Sequence, residues 1–125
     1  MLGVSGISSD LRQVLAELSY NPGAQLAVEI YVHRIRKTIG AMAATLRGLD
    51  VLVFTAGVGE RAVEIRKRVC ENLDYIGLEL DRAANETCKP DADIATPASK
   101  ARILVITTRE DLTIMRETRR LALPP

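Results

Sequence analysis

The sequence predicts an α/β fold, and an incomplete one. Two apolar runs, VLVF at residues 51–54 and ILVI at residues 103–106, each stop abruptly and give way to a charged helical pattern. The segments before and between them carry apolar residues at helical spacing. The order helix, helix, strand, helix, strand, helix belongs to a sheet covered by helices. Two strands alone make a poor sheet, so the chain is expected to form the later part of a larger domain.

Each element has a local reason. GISSD at residues 6–10 reads as a loop ending in a helix N-cap, Ser9 or Asp10. The helix over residues 11–19 places Val14, Leu15 and Leu18 on one side, and Asn21-Pro22-Gly23 breaks it. A longer helix spans residues 24–47. It carries Leu26, Ile30, Ile35, Ile39, Met42 and Leu46, together with alanines (Ala24, Ala27, Ala41, Ala43, Ala44) that admit a close neighbour. Gly48 stops it.

The strand at residues 51–55 is uniformly apolar, as expected when both faces are covered. A helix over residues 60–73 packs through Val63, Ile65, Val69, Cys70 and Leu73. IGLELD at residues 76–81 alternates like a short strand, and residues 82–100, interrupted by Pro90 and Pro97, read as mostly irregular. A second buried strand covers residues 101–107. The last helix runs from 109 to 121, before Pro124-Pro125.

Composition excludes several functions. Seventeen basic and sixteen acidic residues leave a net charge of +1, which offers no attraction to nucleic acid or an anionic membrane. Three tyrosines, one phenylalanine and no tryptophan give no platform for stacking bases. Cys70 and Cys88 lack metal-ligand spacing and have one histidine to join them, so neither a metal cluster nor a disulfide framework is expected. Cys70 reads as a buried thiol. His33 reads as structural, and Arg34, Arg36 and Lys37 as a solvated face. With no signal peptide and no apolar run of membrane length, a cytoplasmic protein is expected.

The chemistry is expected at the carboxyl ends of the two strands, where ligands of open α/β sheets meet helix N-termini. After the first strand, Gly57, Val58 and Gly59 can present backbone to a phosphate or a nucleobase; a tight turn indifferent to ligands fits the same residues. After the second, Glu110 and Asp111 open a helix. There they complement its dipole, or one carboxylate holds Mg²⁺ beside a nucleotide's phosphates.

Taken in order, GVSGISSDLR, VLVFTAGVGE, IGLELD and ILVITTREDLTIMRET resemble characteristic segments of the acetate kinase family. The resemblance covers essentially the whole chain. It implies a partial actin-like ATPase (ribonuclease H-like) domain, from the superfamily that joins acetate and sugar kinases with actin and heat-shock chaperones. Residues 1–125 would be the C-terminal part of the family's second domain, with the first strands of the sheet missing. The implied reaction transfers a phosphoryl group between ATP and acetate, yielding ADP and acetyl phosphate with Mg²⁺.

Carried over by position, the resemblance makes Gly57, Val58, Gly59, Glu60 and Arg61 the loop around adenosine and phosphates. Asp10, Leu11 and Arg12 become a second adenosine-contacting segment, and Glu110 the magnesium-binding carboxylate. It departs at Arg61 and Arg109, where the family usually has Asn. It assigns no catalytic residue to this chain: the acetate pocket and the groups that stabilise the transferring phosphoryl belong to the family's remaining part. It also implies a homodimer formed through this domain, with the helix at residues 24–47 contributing. Two other readings stand beside it, a catalytically inactive module for dimerisation or nucleotide binding, and a kinase of propionate or another short acyl chain.

Overall fold

The computed structural model describes residues 1–122; the expected Pro124-Pro125 ending lies outside them. A one-turn helix, α1 (Leu2–Ser5), precedes the expected loop. Helix α2 (Leu11–Ala16) ends three residues before the expected 19 and is capped by Asp10, whose Oδ1 accepts the Arg12 N–H at 2.9 Å. The long helix α3 (Pro22–Leu46) starts inside the Asn-Pro-Gly expected only to break a helix. Pro22 takes the first helical position, where its missing N–H is not needed, and Asn21 Oδ1 accepts from the Gly23 and Ala24 N–H groups. At the far end Arg47 adopts the left-handed conformation (φ 62), and the Gly48 N–H donates to the Ala43 carbonyl.

Helix α3 buries its small residues, Ala24, Ala27, Val28, Val32 and Ala43, while Leu26, Ile30, Met42 and Leu46 stay exposed. Close packing selects the alanine–valine side, as the alanines led one to expect; of the large apolar residues, Ile35 and Ile39 pack against the core. Arg36, expected in a solvated turn, instead donates to the carbonyls of Arg68 and Val69. His33 lies exposed on the helix rather than in a structural contact.

Strands β1 (Val51–Phe54), β2 (Ala92–Asp93) and β3 (Arg102–Val105) form one sheet in the order β1-β3-β2. β1 and β3 run parallel from Val51 opposite Arg102 to Phe54 opposite Val105, and β2 is antiparallel to β3. The sheet thus has a third, two-residue strand inside the segment expected to be irregular. The same segment holds α6 (Arg82–Glu86), capped by Asp81, whose Oδ1 accepts the Ala84 N–H at 3.0 Å. The expectation that both faces of the first strand are covered is not met: Val51 and Val53 are 42% and 49% exposed. IGLELD is not a strand either. A 3₁₀ turn (Asp74–Ile76) leads into single bridges from Leu78 to Ala101 and from Leu80 to Ala95.

The helix expected over residues 60–73 is two helices, α4 (Ala56–Arg61) and α5 (Val63–Cys70), separated by Ala62 at φ −92, ψ 82. Ile65, Val69 and Cys70 of α5 join Val28, Phe54, Ile94, Ile103 and Val105 in the core. Burial pushes the Cys70 thiol up to about 12, which leaves it protonated and inert. The final helix, α7 (Glu110–Ala122), buries none of its residues. No helix among the described residues is long and apolar enough to cross a membrane.

Candidate functional site

Parallel pairing of β1 and β3 sets their carboxyl ends side by side, and hydroxyl groups stitch the two ends together. Thr55 and Thr108 are hydrogen-bonded through their side chains at 2.7 Å, and the Ala56 N–H donates to Thr108 Oγ1 at 2.9 Å. Glu60 Oε1 accepts the Thr108 N–H at 2.8 Å, and this backbone bond is the main reason its carboxyl lies below the usual range. Asp91 Oδ1 accepts the Thr107 N–H at 2.8 Å, and the same carboxylate pairs with Arg109. The Thr107 bond, then Arg109, holds Asp91 below the usual carboxylate range.

The two glycines after β1 do different work. A Cβ on Gly59 would meet the Phe54 carbonyl carbon at 3.1 Å and its Cα at 3.4 Å, so Gly59 lets α4 lie against the end of β1. A Cβ on Gly57 would meet nothing within 4 Å. Neither adopts a positive φ; the left-handed residue of the turn is Ala56, at φ 59. Both glycines were expected to make room for a ligand; the space beside Gly57 is open, while Gly59 is tightly packed against the end of β1.

Gly57 opens on a cleft of about 740 Å³ between α2, α3 and α4. Its wall brings together Asp10, Leu11 and Arg12 with Gly57, Val58 and Arg61, two segments far apart in sequence. Met1, Ser9, Leu15, Tyr31 and Ala62 complete it. Arg12 forms an ion pair with Asp10 at 2.6 Å; its hydrogen bonds lower the Asp10 carboxyl and raise Arg12. Arg61 is exposed and makes no ion pair among the described residues. The cleft is thus an apolar slot with a charge-balanced Asp10–Arg12 pair in its lining and one cation, Arg61, that makes no ion pair among the described residues.

Three expected site residues lie elsewhere. Gly59 lines an adjoining groove between α3 and β1. Glu60 spends its carboxylate on Thr108. Glu110 is exposed in the first turn of α7, outside both hollows. Among the described residues no group of three His, Cys, Asp or Glu is placed to hold a metal ion. Sequence reasoning missed the threonine pair, although each apolar run ends in threonine. It missed the apolar lining too, because Leu15, Tyr31 and Ala62 meet only through packing.

A model of the Acetokinase family matches residues 1–116. The acetate kinase of Gloeothece citriformis is 54% identical over 116 residues, which are 92% of this chain and 29% of that protein. The crystal structure of Porphyromonas gingivalis acetate kinase superposes with a TM-score of 0.88 at 40% identity, over 98% of this chain and 31% of its own. A propionate kinase from Francisella tularensis superposes at 0.81 with 35% identity, over 93% of this chain and 29% of its own. The chain therefore spans less than a third of the length of these relatives. Its small sheet is part of an actin-like domain.

Proposed function

Since the chain belongs to the acetokinase family, we propose that it forms the nucleotide-binding side of an acetate kinase. That enzyme passes a phosphoryl group between ATP and acetate. The observation that carries this reading is the single cleft shared by the Asp10-Leu11-Arg12 and Gly57-Val58-Arg61 segments. In this proposal the adenosine lies against Leu11, Leu15 and Val58. Gly57 leaves it room, and Arg61 faces the anionic side of the nucleotide.

Mg²⁺ supplies charge neutralisation at the phosphates when bound. Glu110 is the residue of this chain that would help to hold it. Phosphoryl transfer needs several groups to position the reactants and neutralise charge together. One cleft and one carboxylate do not make that set, so no catalytic residue is assigned to this chain. The partners in the proposal are ATP or ADP, with acetate or acetyl phosphate bound only by the whole enzyme. A second copy of the chain, paired through the exposed apolar side of α3, completes the assembly. Similarity to a propionate kinase keeps a longer acyl substrate as the second reading.

Calorimetric titration of the chain with MgADP, with a light-scattering mass in the same buffer, tests the proposal. Saturable one-site binding is expected, weakened by Gly57→Val and by chelating the metal; chelation should matter less in Glu110→Ala. A folded chain that takes up no MgADP overturns the nucleotide role. A monomeric mass at all concentrations overturns the pairing.

A further inference from the structure

Arg66 is 1% exposed, the largest fully buried side chain among the described residues, and no carboxylate lies within ion-pair distance of it there. Burying a cation without a counter-charge is unfavourable, so its hydrogen bonds carry the explanation. Nη1 donates to the carbonyl oxygens of Gly59 at 2.9 Å and Glu60 at 2.8 Å. Nε donates to Asn85 Oδ1 at 2.7 Å, and Nη2 to the Asn85 carbonyl oxygen at 3.1 Å. Asn85 in turn donates from Nδ2 to the Val63 carbonyl at 3.1 Å.

The break at Ala62 creates the need for these bonds. In an unbroken helix the Gly59 and Glu60 carbonyls would accept from the N–H groups four residues on. Where α4 ends they are orphaned, as the last carbonyls of any helix are. Arg66 supplies the missing donors from the next helix. Its planar fork reaches two carbonyls on one side and Asn85 on the other, which a single ammonium does not do. α4 is thereby held at its rear by Arg66, while Thr108 holds its front through Ala56 and Glu60. Between these ties lie Gly57 and Val58, and Arg61 follows directly after them; all three line the cleft.

We infer that Arg66, braced by Asn85, is a positioning residue that fixes the 57–61 turn against the cleft and so sets nucleotide affinity. This rests on the nucleotide reading above, but the brace is measurable without ligand. Arg66→Lys and Asn85→Ala are compared with Val69→Ala, which removes core volume from the same helix and leaves these hydrogen bonds in place. Each is measured for thermal midpoint, amide hydrogen exchange at residues 57–61, and MgADP affinity by calorimetry.

Both brace variants should exchange faster at 57–61 and bind MgADP about tenfold more weakly, from losing charge-assisted bonds. Arg66→Lys should fall short of wild type because lysine meets only some of the acceptors. Val69→Ala should lower the midpoint with neither effect. Wild-type exchange and affinity in folded Arg66→Lys and Asn85→Ala would overturn the inference, whatever their midpoints. If the unaltered chain takes up no MgADP, the nucleotide reading falls alone. The exchange rates then decide the brace, and rates unchanged from wild type reject it.

Discussion

The connections that follow β1 and β3 begin alike and end differently. Both strands are parallel neighbours, both are followed within two residues by threonine, and both hand over to an amphipathic helical segment. After β1 the chain turns through α4 and packs α5, burying Ile65, Arg66, Val69 and Cys70. After β3 it enters α7, whose Leu112, Ile114, Met115 and Leu121 remain 38–79% exposed. Burying one such side chain contributes about 1.5–3 kcal/mol, and α7 collects almost none of it. What ties its start to the sheet are the surface hydrogen bonds of Glu60, Asp91 and Thr108 and one exposed ion pair, Asp91–Arg109, and an exposed pair of that kind contributes little. An amphipathic pattern therefore specifies a face for burial without specifying that this stretch of chain will cover it.

The contrast is broken most sharply at the packed connection. Gly59→Val would force side-chain carbons into the Phe54 backbone and should cost about 2–3 kcal/mol of unfolding free energy by urea denaturation. Gly57→Ala, two residues earlier, meets nothing within 4 Å. It should leave stability level or raise it by up to about 1 kcal/mol through helix propensity. Equal losses at the two positions would refute the division of labour between the glycines.

Acid should loosen the second connection before the first. Glu60 and Asp91 both titrate below the ordinary carboxylate range in the folded chain. Each therefore contributes stability that is complete above its unfolded pKa and is lost as pH falls through the lower folded value. In an NMR titration the Thr107 and Thr108 amide resonances should shift below about pH 4, ahead of Ile65 and Val69. Simultaneous movement of all four would mean that the carboxylates do not act locally.

The smallest effect is expected on α7. Ile114→Ser should change unfolding free energy by less than about 0.5 kcal/mol, since the side chain is 66% exposed. A larger loss would show that the helix is packed in solution, against a second copy for instance, and would bring the two connections closer in kind.

Much of this was legible from local pattern. The apolar runs marked β1 and β3, Gly57 and Gly59 marked the turn after β1, and Ser9 or Asp10 was expected as a cap, which is Asp10. The resemblance of four ordered segments named the family, because short motifs in fixed order survive without knowledge of contacts. Less legible were α6 and β2, five and two residues long, whose weak local signals were overridden by polar composition and prolines. The division of residues 60–73 at Ala62 was invisible, since an alanine is the last residue expected to interrupt a helix.

Side-chain chemistry along the chain was enough to decide which stretches turn, cap and run apolar, since those depend on residues within a few positions of one another. Packing in three dimensions decided which apolar faces are covered. It buried the alanine–valine side of α3 and left the leucine side open, and it split the roles of Gly57 and Gly59. It also drew Arg66 from α5 onto the carbonyls of α4 and Asn85 from α6 onto Arg66. Such bonds join residues whose separation in sequence carries no periodic signal. They exist because a buried carbonyl must find a donor wherever the fold can bring one.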